Sequence, residues 1–419
     1  MNIEKLLKGV SYTAIHGDMG REVRHLTFDS RTVTEGSCFF AIEGTVVDGH
    51  NYISSAEQKG ATAIVCKRLP EQLDTQNTTY IVTDDTDMAM ATMAAAFYGN
   101  PSRKLKVVGV TGTNGKTTIA TLLYDLVRAM GHKAGLISTV VYKVDDEQIE
   151  STHTTPDTIR LNAMLAQMVE RGCEYCFMEC SSHAIVQRRI FGIEFTGALF
   201  TNLTHDHLDY HKTFAEYIRA KKLFFDNLSK DSFAIVNSDD RNGLVMLQNT
   251  AAQSYTLSLR SHADFCCKIL ESTVEGMLLR IDNSDVWVSF LGRFNAYNLL
   301  TVYAAAVKLG FERSEVLRCL SMLTPVDGRF DIVRATDGTI AIIDYAHTPD
   351  ALENILKTVA EIRTKNQSVT TICGCGGERD TTKRPEMAKI AVKLSDRAIF
   401  TSDNPRSEDP EQILRQMEA

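Results

Sequence analysis

The sequence predicts an α/β protein of three domains, with a mostly parallel central sheet built behind a phosphate-binding loop. Three observations predict it. The chain has 419 residues, enough for two to three domains. Short β-branched apolar runs alternate with segments of helical periodicity along most of its length. The stretch "GVTGTNGKTT", Gly109 to Thr118, follows one such run and opens a helix.

Residues 1–98 read as short alternating strands and helices. "ATAIVCKR" is a strand, and "TDMAMATMAAAFYGNPS" is a helix that stops near Gly99. "NPSRK" is a linker with Asn-Gly-Pro turn chemistry around it. The second domain, 99–325, starts with the strand "LKVVGV" and the glycine-stopped helix "KTTIATLLYDLVRAMG". "CEYCFMEC", "GALFTNL" and "FAIVNSD" are further buried strands, and helices between them imply a mostly parallel sheet. "LTPVDGRFD" is a second linker. The third domain, 326–419, reads β-α-β-α-β through "TIAIIDYAH", "ALENILKTVAEIR", "SVTTICGCGG", "RPEMAKIAVKLS" and "RAIFTSDNPR", a Rossmann-like run that ends inside an expected helix.

Composition narrows the function classes. Hydrophobic residues make up 44% and charged residues 23%, an ordinary globular mix. A net charge of -8 makes a poor general nucleic-acid binder, since the chain would repel a phosphate backbone. The opening "MNIEKLLKGVSYTAIHGD" carries charges inside any apolar run, so no signal peptide is expected, and without a run of about 18 apolar residues no membrane span is expected. Ten cysteines in a chain this long fit a reduced cytoplasm better than a disulfide framework. A monomer is expected.

In a GxxxxGK[ST] loop, backbone amides cradle phosphate, the lysine reaches the outer phosphates and the hydroxyl binds magnesium. Gly115, Lys116 and Thr117 are in register, but Val110 stands where the first glycine belongs, flanked by Gly109 and Gly112. ATP or a related nucleotide is predicted; the loop alone leaves kinase, ATPase, GTPase and ligase open. Cys173, Cys176, Cys180 and His183 invite a zinc reading. Strand alternation points Cys173 and Cys176 to opposite faces, so small buried hydrophobes are expected instead. Glu179 ends an apolar strand where open α/β sheets place ligands; it is a magnesium ligand or a capped glutamate. His205, His207 and His211 stand near Asp206 and Asp209, and any one of them alone reads as part of a polar loop. Thr213 and Glu216 spell a capping box. On the helix that follows, Phe214, Tyr217, Phe224, Phe225 and Leu228 share one arc, with Lys221 in its middle and Lys222 to the side. Such a lysine either snorkels or is desolvated. A desolvated amine can take up carbon dioxide and become a carbamate, an anionic metal ligand.

"TGTNGKTT", "TTPD", "MECSSHA", "TNLTHDHLDYH", "AKKLFF", "GRFNAYNLL", "VDGRFD", "DYAHTPDAL", "GCGGERDTTKRP" and "DNPR" occur in this order over nearly the whole chain. Together they resemble the Mur ligase family, far more specifically than the phosphate loop does alone. The resemblance implies an enzyme that joins an amino acid to a UDP-linked muramoyl peptide, driven by ATP. It implies phosphate contacts from Thr113, Asn114, Gly115, Lys116, Thr117 and Thr118. Asn295 and Asn298 would lie near the adenine, and Arg329 and Asp344, with His347 nearby, would reach ATP from the third domain. Lys116, Glu179, His207 and Lys221 would be catalytic, with magnesium on Thr117, Glu179, His207 and the carbamate of Lys221. Ser30, Thr154, Thr155, Ser181, Gln187 and Arg189 would bind UDP-N-acetylmuramoyl-L-alanyl-D-glutamate. Arg379, Asp403, Asn404, Pro405 and Arg406 would bind the entering amino acid. "DNPR" resembles the version that reads meso-diaminopimelate, because a guanidinium can grip the second carboxylate that lysine lacks. The same reaction with L-lysine, and a UDP-muropeptide binder without turnover, stay open. A plain phosphotransferase leaves Lys221 and "DNPR" unexplained, and "TTPD" and "DNPR" argue against a folate-glutamylating relative of the same architecture. Family members continue beyond the last residue here, so the third domain is expected to be truncated relative to the family, without its last strands.

Overall fold

The computed structural model describes every residue except 45, 46, 205, 207, 365 and 419, and only the backbone at 208 and 209. Two compact units divide the chain, residues 1–107 with 133–195, and residues 108–132 with 196–419.

The first unit begins with β1 (Ala14–His16), β2 (His25–Thr27), β3 (Ser37–Phe40), β4 (Ala63–Cys66) and β5 (Thr79–Val82). They form one sheet in the order β1-β5-β4-β3-β2, parallel except for β1. Side chains alternate across the sheet, so each strand feeds two cores. Phe40, Val65 and Ile81 meet Leu6 and Met93 on one face, while Phe39, Ile64 and Tyr80 meet Ile53 and Ala56 on the other. The predicted helix is Thr86–Phe97, started by Asp85, whose carboxylate accepts the Met88 N–H at 2.9 Å. The stretch expected as a linker contains a 3-10 turn, Pro101–Lys104, entered through Asn100 at φ 52°.

Eleven further strands are divided between the two units. They are β6 (Lys106–Thr111), β7 (Ala134–Ile137), β8 (Val141–Val144), β9 (Glu147–Glu150), β10 (Tyr175–Glu179), β11 (Gly197–Phe200), β12 (Phe233–Asn237), β13 (Gln253–Ser258), β14 (Phe265–Thr273), β15 (Gly276–Ile281) and β16 (Ser284–Val288). The first unit carries the order β10-β7-β8-β9, and the second carries β6-β11-β12-β13-β14-β15-β16. Pairing is parallel from β6 through β14 and between β10 and β7. The stretches β7-β8-β9 and β14-β15-β16 are antiparallel, an addition to the parallel core that the sequence pattern predicts. In the second unit the long helix Arg293–Lys308 lies across β11 to β14 and against the helix Lys116–Ala129.

The β-α-β-α-β reading of the last stretch changes at its first strand. β17 (Asp331–Arg334) and β18 (Ile340–Ile343) form an antiparallel pair, while β19 (Thr370–Cys373) and β20 (Arg397–Phe400) form a parallel one. The Asp337-Gly338 turn explains it: Asp337 accepts the Thr339 N–H at 2.9 Å and Gly338 takes φ 87°, so the chain reverses at once. Leu352, Leu356, Met387, Ala391, Ile413 and Met417, from the helices Pro349–Ile362, Lys383–Leu394 and Pro410–Glu418, share one core. Among the described residues no helix is long and apolar enough to cross a membrane.

Candidate active site

In the second unit the phosphate loop is built on β6. That strand runs on through Thr111, so Val110 is a buried strand residue paired with Leu199. The chain then turns at Gly112 and Gly115, at φ 147° and 89°. A Cβ on Gly112 would lie 1.9 Å from Thr201 Oγ1, and one on Gly115 2.6 Å from Asn298 Oδ1. Glycine is therefore required at these two positions and not at Val110. Thr113 N–H donates to Asn202 O at 2.9 Å, and Asn114 N–H to Asn202 Oδ1 at 3.0 Å. Thr201 Oγ1 donates to Asn114 O at 2.6 Å. Lys116 Nζ is folded over the loop, donating to the carbonyls of Gly112 and Thr113 at 3.0 and 2.8 Å. Thr117 and Thr118 are buried in the first turn of the helix.

Lys221 joins this loop. Its side chain is 1% exposed, and Nζ donates to Gly112 O at 2.8 Å. A lysine this buried does not snorkel. Nζ also lies 4.7 Å from the ring centre of Tyr217, one turn earlier on the same helix. The Tyr217 hydroxyl lies 3.2 Å from Thr113 Oγ1, and burial, followed by the charge of Asp206, pushes its ionisation far above the ordinary tyrosine range. Thr213 caps the helix by accepting the Glu216 N–H at 3.2 Å. The reciprocal half of the expected capping box is replaced: Thr213 N–H donates to His211 O, and Glu216 pairs with Arg219 at 2.6 Å. His207, expected as a magnesium ligand, lies outside the described residues, as does His205.

The residues expected near ATP from helix Arg293–Lys308 and beyond take distinct places. Asn295 Nδ2 donates to Leu291 O at 2.9 Å, and Asn298 Nδ2 to Asn295 Oδ1 at 3.1 Å, so the pair is a brace under Gly115. Arg329 Nη2 donates to Thr117 Oγ1 at 3.1 Å, with its guanidinium 4.6 Å from the Tyr345 ring centre. Asp344 fixes the turn carrying Arg329 by accepting the Phe330 N–H at 2.7 Å. Burial pushes the Asp344 carboxyl up, opposed by that N–H and by Arg329. His347 Nε2 lies 3.9 Å from Asp206 Oδ2. Asp350 accepts Asn114 Nδ2 at 3.1 Å, a contact the sequence reading did not assign. Its signal was an acid in the first turn of a helix capped by Thr348. Tyr217 was missed as well, although its i to i+4 spacing to Lys221 was visible.

In the first unit a second cluster forms at the end of β10. Glu179 is 1% exposed, and its Oε1 accepts the Thr139 N–H at 2.7 Å. Thr155 Oγ1 donates to Glu179 O at 2.8 Å, and Ser181 N–H donates to Thr155 Oγ1 at 3.3 Å. Thr139 Oγ1 donates to Thr154 Oγ1 at 3.1 Å, and Arg189 Nη1 to Thr155 O at 2.9 Å. Thr154, Thr155, Glu179, Ser181 and Arg189 are thus brought together, and Gln187 caps the short helix that Ser181 starts. Ser30 lies in the turn after β2, where its carbonyl accepts Lys59 Nζ at 2.7 Å. Cys173, Cys176 and Cys180 are buried, and burial pushes the Cys176 thiol far above the usual thiol range. That bears out the hydrophobic reading. Among the described residues only Glu43, Asp48 and His50 gather metal-type ligand atoms within 4.8 Å. Both His50 nitrogens are engaged there, by Asp48 at 2.7 Å and the Lys67 N–H at 3.0 Å, and Lys67 and Arg68 pair with Glu43.

The expected amino-acid residues lie on two loops after β19 and β20. Arg406 Nη1 donates to Gly377 O at 2.6 Å, and Asn404 Oδ1 accepts the Arg406 N–H at 3.2 Å. Arg379 and Asp403 are exposed. Arg406 at φ 50° and Glu378 at φ 52° hold left-handed backbone, as do Phe330 beside Arg329 and Arg188 beside Arg189. Such conformations are strained for residues with a Cβ and gather at functional sites.

Comparison with known proteins matches three family models in order along the chain. "Mur ligase family, catalytic domain" covers residues 22–98, "Mur ligase middle domain" 110–306, and "Mur ligase, glutamate ligase domain" 328–419. A protein of Phocaeicola vulgatus named UDP-N-acetylmuramoyl-L-alanyl-D-glutamate--2,6-diaminopimelate ligase is 54% identical, over 100% of this chain and 86% of its own. A Geobacillus kaustophilus protein of the same name is 42% identical over the same shares. A solved structure of a ligase with that name superposes with a TM-score of 0.75 at 28% identity, over 100% of this chain and 85% of its own. Folylpolyglutamate synthase from Mycobacterium tuberculosis shares the fold, with a TM-score of 0.62 at 17% identity over 79% of this chain and 82% of its own. The chain belongs to the Mur ligase family.

Proposed function

We propose that this chain is an ATP-dependent, ADP-forming ligase that adds meso-diaminopimelate to UDP-N-acetylmuramoyl-L-alanyl-D-glutamate in peptidoglycan synthesis. The observation that carries the reading is its 54% identity, over the whole chain, to a relative named for these two substrates. The substrate's glutamate γ-carboxylate takes the γ-phosphoryl of ATP, which turns a poor acylating agent into an acyl phosphate. The amine of diaminopimelate attacks the acyl carbon, a tetrahedral intermediate forms, and phosphate leaves. Several anions meet in this step, so fixed positive groups must offset their repulsion.

The residues divide these roles among them. The amides of Thr113 to Thr118 and the ammonium of Lys116 hold the phosphates, and Asn295 and Asn298 support the loop from behind. Arg329 reaches Thr117, and Asp344 fixes the turn that carries it. Ser30, Thr154, Thr155, Ser181, Gln187 and Arg189 take the UDP-muropeptide. Magnesium would be held by Thr117, Glu179, His207 and Lys221 as a carbamate, and when bound it neutralises phosphate charge. The buried Glu179 carboxylate and the Thr117 hydroxyl are oxygen donors of the kind this cation takes. Arg379, Asp403, Asn404, Pro405 and Arg406 read the amino acid, with the Arg406 guanidinium facing its second carboxylate. The domains then divide the work as UDP-sugar binding in 1–98, ATP binding in 99–325 and amino-acid binding in 326–419, in a cytoplasmic monomer.

The test is phosphate release from ATP with UDP-N-acetylmuramoyl-L-alanyl-D-glutamate, comparing meso-diaminopimelate, L-lysine and no amine. Release only with diaminopimelate is expected. Release only with lysine would overturn the reading of Arg406, and equal release without amine would overturn the ligase reading itself.

A further inference from the structure

Arg384 has no part in the roles assigned above, yet it is among the most deeply buried charged side chains, at 0% exposure. Its guanidinium grips Glu408 as a fork, Nη1 to Oε2 at 2.9 Å and Nη2 to Oε1 at 3.0 Å. Nη2 also donates to Gly376 O at 3.1 Å, and Nη1 to Gln416 Oε1 at 2.6 Å. Glu408 Oε1 in turn accepts the Glu378 N–H. One side chain thus ties the loop before Arg379 to the loop after Arg406.

The two loops have no slack between them. Gly377 N–H donates to Asn404 O at 2.9 Å, and a Cβ on Gly377 would lie 1.9 Å from Pro405 O. A Cβ on Gly376 would lie 3.0 Å from Arg406 Nη1. Stability alone is a weak reason for a buried ion pair, because desolvation offsets much of the attraction. Here Arg384 Nε also has no hydrogen-bond partner among the described residues, a further cost. A bidentate guanidinium does fix angle and spacing, which a lysine ammonium does not.

We propose that Arg384 is a positioning residue for amino-acid recognition: forked on Glu408, it sets the spacing of Arg379 and Arg406 and so governs affinity for the entering dicarboxylic amino acid without touching it. This rests on the proposed function above. The loops are separate in sequence and carry strained backbone at Glu378 and Arg406, and the clasp holds both in register.

The test is steady-state kinetics of the purified protein and its Arg384→Lys and Glu408→Gln variants, varying each substrate in turn, with thermal unfolding of each. The KM for meso-diaminopimelate is expected to rise about tenfold or more in Arg384→Lys, as when the hydrogen-bond support behind a ligand-contacting group is removed. The kcat, and the KM for ATP and for UDP-N-acetylmuramoyl-L-alanyl-D-glutamate, are expected to stay within about twofold. Glu408→Gln, which keeps the shape and loses the charge, is expected to shift the same KM in the same direction by less. An unchanged diaminopimelate KM in a folded variant overturns the proposal, as does a parallel rise in all three KM values. A parent protein that turns over without an amino acid overturns the proposed function and this inference together, whereas normal diaminopimelate dependence with no split in the variants overturns the inference alone.

Discussion

Lys221 shows how a single residue carries both a cost and a purpose. A lysine amine with 1% exposure loses its hydration, and it recovers a bond to the Gly112 carbonyl and the face of Tyr217. A hydrophobic side chain of similar length would fill the same space without that loss. Lys221→Met is therefore expected to unfold at the same or a higher temperature. Its phosphate release is expected to fall on the order of 10²-fold or more, as when one charge-stabilising group leaves an active site. A scanning calorimeter and a phosphate assay read the two halves, and a variant that keeps its turnover would remove Lys221 from the chemistry. The position of Lys221 was legible as a lysine in the middle of an apolar arc. Its bond to Gly112 was not, because the two residues are 109 apart in sequence and only the fold brings them together. Asp350 was illegible for the same reason, since Asn114 is 236 residues away.

Among the elements, the helix Phe214–Asp226 and the strand ends of the second unit offer separate tests. Thr213 alone caps that helix, while Glu216 is turned toward Arg219. Thr213→Ala is expected to lower stability by about 1 kcal/mol, and Glu216→Ala by little, since exposed pairs contribute little. Denaturant midpoints of the two variants check this, and equal losses would mean that the full capping box forms in solution. Asp239 joins three elements: it accepts Ser258 Oγ at 2.7 Å, the Leu259 N–H at 2.8 Å and the Tyr297 hydroxyl at 2.8 Å. Burial by itself would raise the Asp239 carboxyl, but these donors outweigh it and hold the group below the ordinary range. A lowered folded value means that the contribution is complete above the unfolded value and fades as pH falls through the folded one. The melting temperature of the parent should exceed that of Asp239→Asn by a constant margin near neutrality, and the margin should shrink below about pH 4. A margin that holds to pH 2 would contradict this assignment. Strands and helices of this second unit were legible where hydrophobic period and glycine stops agree. The antiparallel pair β17–β18 was not, because β17 lies ahead of "TIAIIDYAH", the first strand read in that stretch, and only the short Asp337-Gly338 turn signals the reversal.

For the molecule as a whole, ligand binding and folding are linked, because the phosphate loop is stitched to its surroundings by Asn202, Thr201, Tyr217 and Asp350. ATP at about a hundred times its Kd is expected to add about 2.7 kcal/mol to unfolding, read as a rise in Tm by scanning fluorimetry. Lys116→Ala should abolish that rise, and a nucleotide-induced rise that survives the substitution would place the binding elsewhere. The architecture was the most legible property, since alternation, composition and ten ordered motifs all pointed one way. The clasp at Arg384 was the least legible, for it depends on which separate segments meet. A last consequence concerns the sulfur atoms. Of the ten cysteines, eight are buried, and burial lifts the half-buried Cys373 to about 11, which leaves little thiolate at neutral pH. Cys266, at the start of β14, remains the thiol most open to attack. A maleimide dye added to the native protein should therefore attach chiefly at one place, without any cysteine being engineered in or out. That gives a built-in attachment point for a fluorescent reporter of nucleotide binding and unfolding.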